Sequence, residues 1–180
     1  SLLRACALNA KKKKKKDNLR FLMIFIITLS VLFTDQLAKL LAARNLLLNQ
    51  SVPLIKGIFH LTLIHNRGAA FGILKNQTLL FIFISVFAVI LIYFVLRNNK
   101  YKRFSFYNIS LSFILAGALG NLIDRLRLGY VIDFLDFRIW PVFNVADSAI
   151  TIGAILLGYS ILKNTETTTQ KAKQDVSGNL

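Results

Sequence analysis

Cysteine and histidine are nearly missing from this 180-residue chain, and their scarcity excludes several chemistries before any motif is read. A single cysteine, Cys6, rules out an internal disulfide and a cysteine-based metal cluster. The two histidines, His60 and His65, have too few further ligands near them in sequence to build a metal site, so neither a metal nor another cofactor is expected. Acidic residues are scarce as well, eight against 23 basic ones, for a net charge of +15. The sequence also lacks a Gly-x-Ser-x-Gly nucleophile turn, a His-Glu-x-x-His zinc helix, a Gly-rich phosphate loop ending in Lys-Ser/Thr, and any internal repeat.

What the chain has is apolar length. Hydrophobic residues make up 55% of it, gathered in blocks approaching the roughly 20 residues that cross a bilayer core. The expected fold class is an all-α membrane protein of about four transmembrane helices, with a small extracytoplasmic β-sheet or loop subdomain between helices one and two. The helices are placed at about 19–43, 77–96, 104–126 and 143–162 within one domain, 19–163. Residues 1–18 read as a disordered basic tail and 164–180 as a polar, solvated one. In the connection 44–76, Phe59, Leu61 and Leu63 alternate with His60 and Thr62, the period of a strand. Gly68, Ala69, Ala70 and Gly72 around Phe71 read as a tight loop or a close backbone approach. Ala116, Gly117 and Gly120 let another helix approach the third closely, which puts it at the bundle centre.

The positions of the basic residues give their meaning. Eight lie before or at the very start of the first block, four lie between the second and third, three follow the fourth, and the remaining eight fall on the other side. That bias predicts both termini in the cytoplasm and the two other connections outside. No basic stripe is interleaved with aromatics, so nucleic acid is not an expected partner.

Ionisable side chains in lipid cost about 2.5–3.5 kcal/mol each on insertion scales, so each needs a partner or a task. Asp35, Lys39, Asp124, Arg125, Asp133, Asp136 and Asp147 all fall at the outer helix ends or in the outer connections. Asp35 and Lys39, four apart, share a helix face and read as a structural ion pair, with direct contact to a substrate as the alternative. Gly117, Asn121 and Asp124 line one stripe of the third helix, and Arg125 can fork onto a carboxylate or a lipid phosphate. Asn144, Asp147, Ser148 and Thr151 form a polar stripe on the fourth. Asn144 and Asp147 can simply cap that helix behind Pro141. Alternatively, Asp147 meets a second carboxylate, and the two share one proton, one acting as base toward water and the other as acid. Spacing does not choose the partner among Asp124, Asp133 and Asp136.

The runs Asp35-Gln-Leu-Ala-Lys39, His65-Asn-Arg-Gly-Ala-Ala-Phe71, Gly117-Ala-Leu-Gly-Asn-Leu-Ile-Asp-Arg125, Val131-Ile-Asp-Phe134 and Trp140-Pro-Val-Phe-Asn-Val-Ala-Asp-Ser148 resemble, in order, the lipoprotein signal peptidase (signal peptidase II) family over about residues 20–163. The resemblance implies an aspartic endopeptidase of the bacterial inner membrane. Such an enzyme cuts diacylglyceryl-modified prolipoproteins just before the lipidated cysteine. It implies Asp133 and Asp147 as the catalytic pair, with the site near the extracytoplasmic face. Asn66, Asn121, Arg125 and Asn144 are then contacts to peptide or dyad, and Asp35, Lys39, Gly117 and Asp124 are supporting residues. The implied partners are prolipoprotein and membrane phospholipid, and the expected state is a monomer. Two features depart from the family: the basic tail, and a short connection between Asp133 and Asp147 that contains Asp136 and Arg138. A small proton-coupled transporter is the runner-up and fits poorly, because the second helix offers only Ser85 near the midplane. A non-catalytic assembly factor would not require two facing acids.

Overall fold

A computed structural model describes residues 2–68, 77–98 and 105–177. Four helices and three strands follow one another as α1 (Leu2–Asn45), β1 (Ser51–Ile55), β2 (Phe59–Asn66), α2 (Thr78–Asn98), α3 (Phe106–Leu128), β3 (Val131–Asp136) and α4 (Val145–Ser177). Each helix holds a stretch long and apolar enough to cross a membrane: Asp17–Asn45, Thr78–Asn98, Phe106–Leu128 and Val145–Lys163. The ends differ from expectation. α1 starts at Leu2 and α4 runs on to Ser177, taking in most of both segments read as unstructured tails. Lysine, alanine and leucine are good helix formers, so a span can propagate into a charged flank without a new nucleus. The small-residue run 69–72 lies outside the described residues, as does residue 104, where the third helix was expected to begin.

Lipid accepts apolar side chains, so helix burial here measures centrality rather than hydrophobicity. The apolar window of α3 is 56% buried, against 22% in α1 and α4 and 11% in α2. The glycines explain the central place of α3. A Cβ on Gly117 would run into the Ala146 carbonyl oxygen, one on Gly120 would lie 2.6 Å from Asp35 Oδ2, and one on Gly153 would lie 2.8 Å from Ser110 O. α1 and α4 therefore both pack directly on the α3 backbone. Ser105 caps the start of α3 by accepting from the Asn108 N–H, and Gly129 ends it in the left-handed region at φ 78°, its N–H donating to Arg125 O.

The strands form one antiparallel sheet in the order β1-β2-β3. β1 and β2 come from the connection between α1 and α2, and β3 comes from the one between α3 and α4. That third strand was not legible in the sequence. Val131 to Phe134 are buried in succession, so no apolar-polar alternation marks them. The pleat still sorts them. Ile132 and Phe134 pack with Ala42 and Leu63, while Val131 and Asp133 face a cavity beside the helices. A second core, Met23, Ile24, Ile92, Leu96 and Leu111, closes the other end of the bundle.

Candidate active site

The segment after β3 doubles back. Phe143 N–H donates to Leu135 O at 3.0 Å, and Phe143 O accepts from the N–H groups of Phe134 and Leu135. This places the next residue, Asn144, against the middle of β3 and at the start of α4. Its side chain serves both. Asn144 Oδ1 accepts from Asp147 N–H (2.9 Å), and Asp147 Oδ2 accepts in return from Asn144 N–H (3.3 Å), a reciprocal helix cap. Meanwhile Asn144 Nδ2 donates to Asp133 Oδ1 at 2.6 Å. The cap and the carboxylate pair are therefore one construction.

Asp133 and Asp147 line a single cavity of about 450 Å³, together with Asn66, Asn121, Arg125 and Trp140. Asn66 Nδ2 donates to Asp133 Oδ2 (2.8 Å), and its own oxygen is held by Gly68 N–H (2.9 Å). Asn121 Nδ2 donates to Asp147 Oδ1 (2.8 Å). Burial, then the negative charge of Asp147, push Asp133 up to about 7, against the pull of the Asn66 and Asn144 donors and of the Lys39 charge. Arg125 stands over the Phe81 ring at 5.1 Å, attracted by Asp147, Asp133 and Asp124. Phe81, Ile84 and Ser85 of α2 with Ile114 and Ile150 line an apolar wall that descends from the carboxylates between the helices.

Behind the cavity lies a buried ionic cluster. Lys39, 2% exposed, reaches Asp35 Oδ2 and Asp124 Oδ2 at 2.9 Å each and Asn121 Oδ1 at 3.0 Å. Asp35 Oδ1 accepts from Ala146 N–H (2.8 Å), and Asp124 Oδ2 accepts from Ile132 N–H (3.2 Å). The cluster thus ties α1 to α3, to β3 and to the first turn of α4. The i, i+4 spacing had revealed only the Asp35–Lys39 pair. Gln36 escaped notice, yet its amide reaches Asp35, Gly120 O and Asp124. Its position between an acid and an apolar helix face was the available signal.

Asp136 lies elsewhere. Three residues from Asp133 on one strand, it points to the opposite face, where it accepts from Thr62 Oγ1 (2.6 Å), Arg138 N–H (2.8 Å) and Arg138 Nη1 (3.1 Å). Burial works against its charge, but these three donors and the Arg138 charge hold its carboxyl below the ordinary range. His60 Nδ1 meets Ser51 Oγ at 3.0 Å, and His65 stacks on Tyr130 at 3.9 Å. Neither is among the residues lining the cavity.

Comparison with solved structures finds the same fold over most of the chain. A bacterial membrane enzyme superposes with a TM-score of 0.75 at 34% identity, over 80% of this chain and 90% of its own. The fold and the acidic cavity define the class: a multi-pass bacterial membrane enzyme. At the sequence level, the profile described as Signal peptidase (SPase) II matches residues 27–163. Lipoprotein signal peptidases of Caldanaerobacter subterraneus (54% identical over 142 residues, 78% of this chain and 96% of that protein) and Halothermothrix orenii (50% over 135 residues, 75% and 92%) are similar over most of their length. The chain belongs to the signal peptidase II family of proteases, whose members process lipoproteins.

Proposed function

We propose that this protein is an aspartic endopeptidase that removes signal peptides from diacylglyceryl-modified prolipoproteins, cutting just before the lipidated cysteine with Asp133 and Asp147 as the dyad. The observation that carries the reading is the shared cavity, in which two carboxylates are each held by amide donors and one of them is pushed to about pH 7. Such a pair holds one proton between its members at neutral pH. The ionised carboxylate takes a proton from water, the oxygen attacks the scissile carbonyl, and the protonated carboxyl donates to the carbonyl oxygen. As the tetrahedral intermediate collapses, the amide nitrogen receives a proton, the C–N bond breaks, and the dyad regains its starting single proton. Asn66, Asn121 and Asn144 keep both acids oriented through the cycle, and Arg125 meets polar groups of the substrate. Gly117, Asp35, Lys39 and Asp124 support the frame.

The apolar wall suits a substrate whose acyl chains stay in lipid while its peptide enters sideways. The termini face the cytoplasm and the cavity opens near the extracytoplasmic face, where water and membrane phospholipid are both at hand. The enzyme works as a monomer. To test this, purified protein is given a diacylglyceryl-modified prolipoprotein and its unmodified counterpart. Release of the signal peptide from the first only, with the new N-terminus at the lipidated cysteine, supports the reading; release from neither, or equally from both, contradicts it.

A further inference from the structure

Lys39 takes no step in that reaction, yet its buried ammonium makes three short polar contacts. Its three N–H donors match its three partners one for one: Asp35, Asp124 and Asn121. The third contact is the informative one. An ammonium can only donate, so whatever faces it from Asn121 must be the amide oxygen. The NH₂ end is then forced to the far side, where it donates to Asp147 Oδ1 at 2.8 Å. Asn144 Nδ2 donates to the same Asn121 oxygen at 3.1 Å, in agreement with that orientation.

We infer that Lys39 is a positioning residue for the dyad: by donating to Asn121 Oδ1 it locks that amide with its NH₂ on Asp147, and so presents Asp147 to the attacking water as a fixed acceptor. The inference rests on the peptidase reading and deepens it. Without Lys39 the Asn121 amide is free to turn over and set its oxygen against Asp147, repelling the carboxylate. A role confined to holding helices together would need only the two ion pairs and would not depend on Asn121.

Among the charged and titratable groups on the elements around Asp133 are Asp147 of α4, Lys39 and Asp35 of α1, Asp124, Arg125 and Arg127 of α3, His60 and His65 of β2, and Arg67 just beyond it. Of these, Lys39 is a cation whose loss favours the proton on Asp133. The variant Lys39→Met paired with Asp124→Asn removes the ammonium while keeping the net charge of the cluster. In that folded variant, turnover is expected to fall on the order of ten- to a hundredfold, the cost of a misplaced catalytic group, with KM within about twofold. The alkaline limb of the pH–rate profile is expected to move to higher pH. Asn121→Leu leaves both ion pairs intact and should reproduce the loss of turnover. Adding the Lys39→Met and Asp124→Asn pair to Asn121→Leu should cost little more, since the three act through one amide. Full turnover in Asn121→Leu overturns the relay even where the Lys39 variant does not fold. Additive losses, or a uniform loss with the alkaline limb unmoved, overturn it as well. If wild type cleaves nothing, the peptidase reading fails separately. The relay is then judged by the structure of the Lys39→Met, Asp124→Asn protein: the Asn121 amide must no longer hold its NH₂ on Asp147, and an amide still in place overturns the relay.

Discussion

At the scale of single residues, Asn144 performs two tasks that substitution can separate. Serine also caps helices well but is too short to reach Asp133 from the same backbone position. Asn144→Ser should therefore keep the melting temperature within a few degrees of wild type while cleavage falls at least tenfold; calorimetry beside a peptide-release assay reads both. In the proposed mechanism Asp133 sets the pH behaviour. Its carboxyl lies at about 7 rather than 3.8, so the proton needed for the acid role is present below that pH and is lost as pH rises through it. The kcat/KM profile should accordingly fall on an alkaline limb near 7. The linkage to stability has the same sign. Between about pH 4 and 7 the folded chain holds a proton that the unfolded chain has released, so the Asp133 contribution to stability falls as pH rises across that window. Asp136 behaves oppositely, its lowered carboxyl adding stability above the unfolded value and losing it on acidification.

At the scale of elements, the α3–α4 contact decides whether the proposed Asp133–Asp147 pair is assembled. Gly117 lies under the Ala146 carbonyl, one residue before Asp147, so even a methyl group there must lift the first turn of α4. Gly117→Ala should cost about 1–3 kcal/mol by overpacking and also depress turnover. Gly158→Ala, which would meet nothing within 4 Å, should stabilise α4 by up to about 1 kcal/mol and leave cleavage unchanged. Thermal melts in one detergent compare the two. The elements also show what the sequence could express. The four spans were legible because apolar length is a one-dimensional signal, and β2 was legible through Phe59, Leu61 and Leu63. β3 was not, because both of its faces are covered, and neither was the reversal at Phe143, which depends on backbone pairing. Those two features bring Asp133 to Asp147. Spacing alone therefore left three candidate partners, and only the resemblance of the Val131-Ile-Asp-Phe134 run singled out one.

At the scale of the whole molecule, polarity is divided between the two ends of the bundle. The sheet, the cavity and the Lys39 cluster occupy one end, and the lysine-rich extension of α1 and the polar extension of α4 leave from the other. The proposed orientation, which rests on the bias in positive charge, puts the second end in the cytoplasm. In a Cys6→Ala background, Ile139→Cys, at a 94% exposed position beside the cavity, should react with a membrane-impermeant maleimide on intact cells. Thr165→Cys should react only after lysis. The opposite pattern would reverse the topology and take the site away from its substrate. Apolar length made the four spans readable in advance, whereas the helical state of residues 2–18 was not, because a lysine run is compatible with either helix or coil.

The central claim is that Asp133 and Asp147 act as one catalytic pair, and the most direct test is signal-peptide release by wild type, Asp133→Asn, Asp147→Asn and Asp136→Asn, each verified as folded. The account predicts that the first two substitutions abolish cleavage, by about 10³-fold or more, and that Asp136→Asn retains it. Normal cleavage by either Asp133→Asn or Asp147→Asn would contradict it.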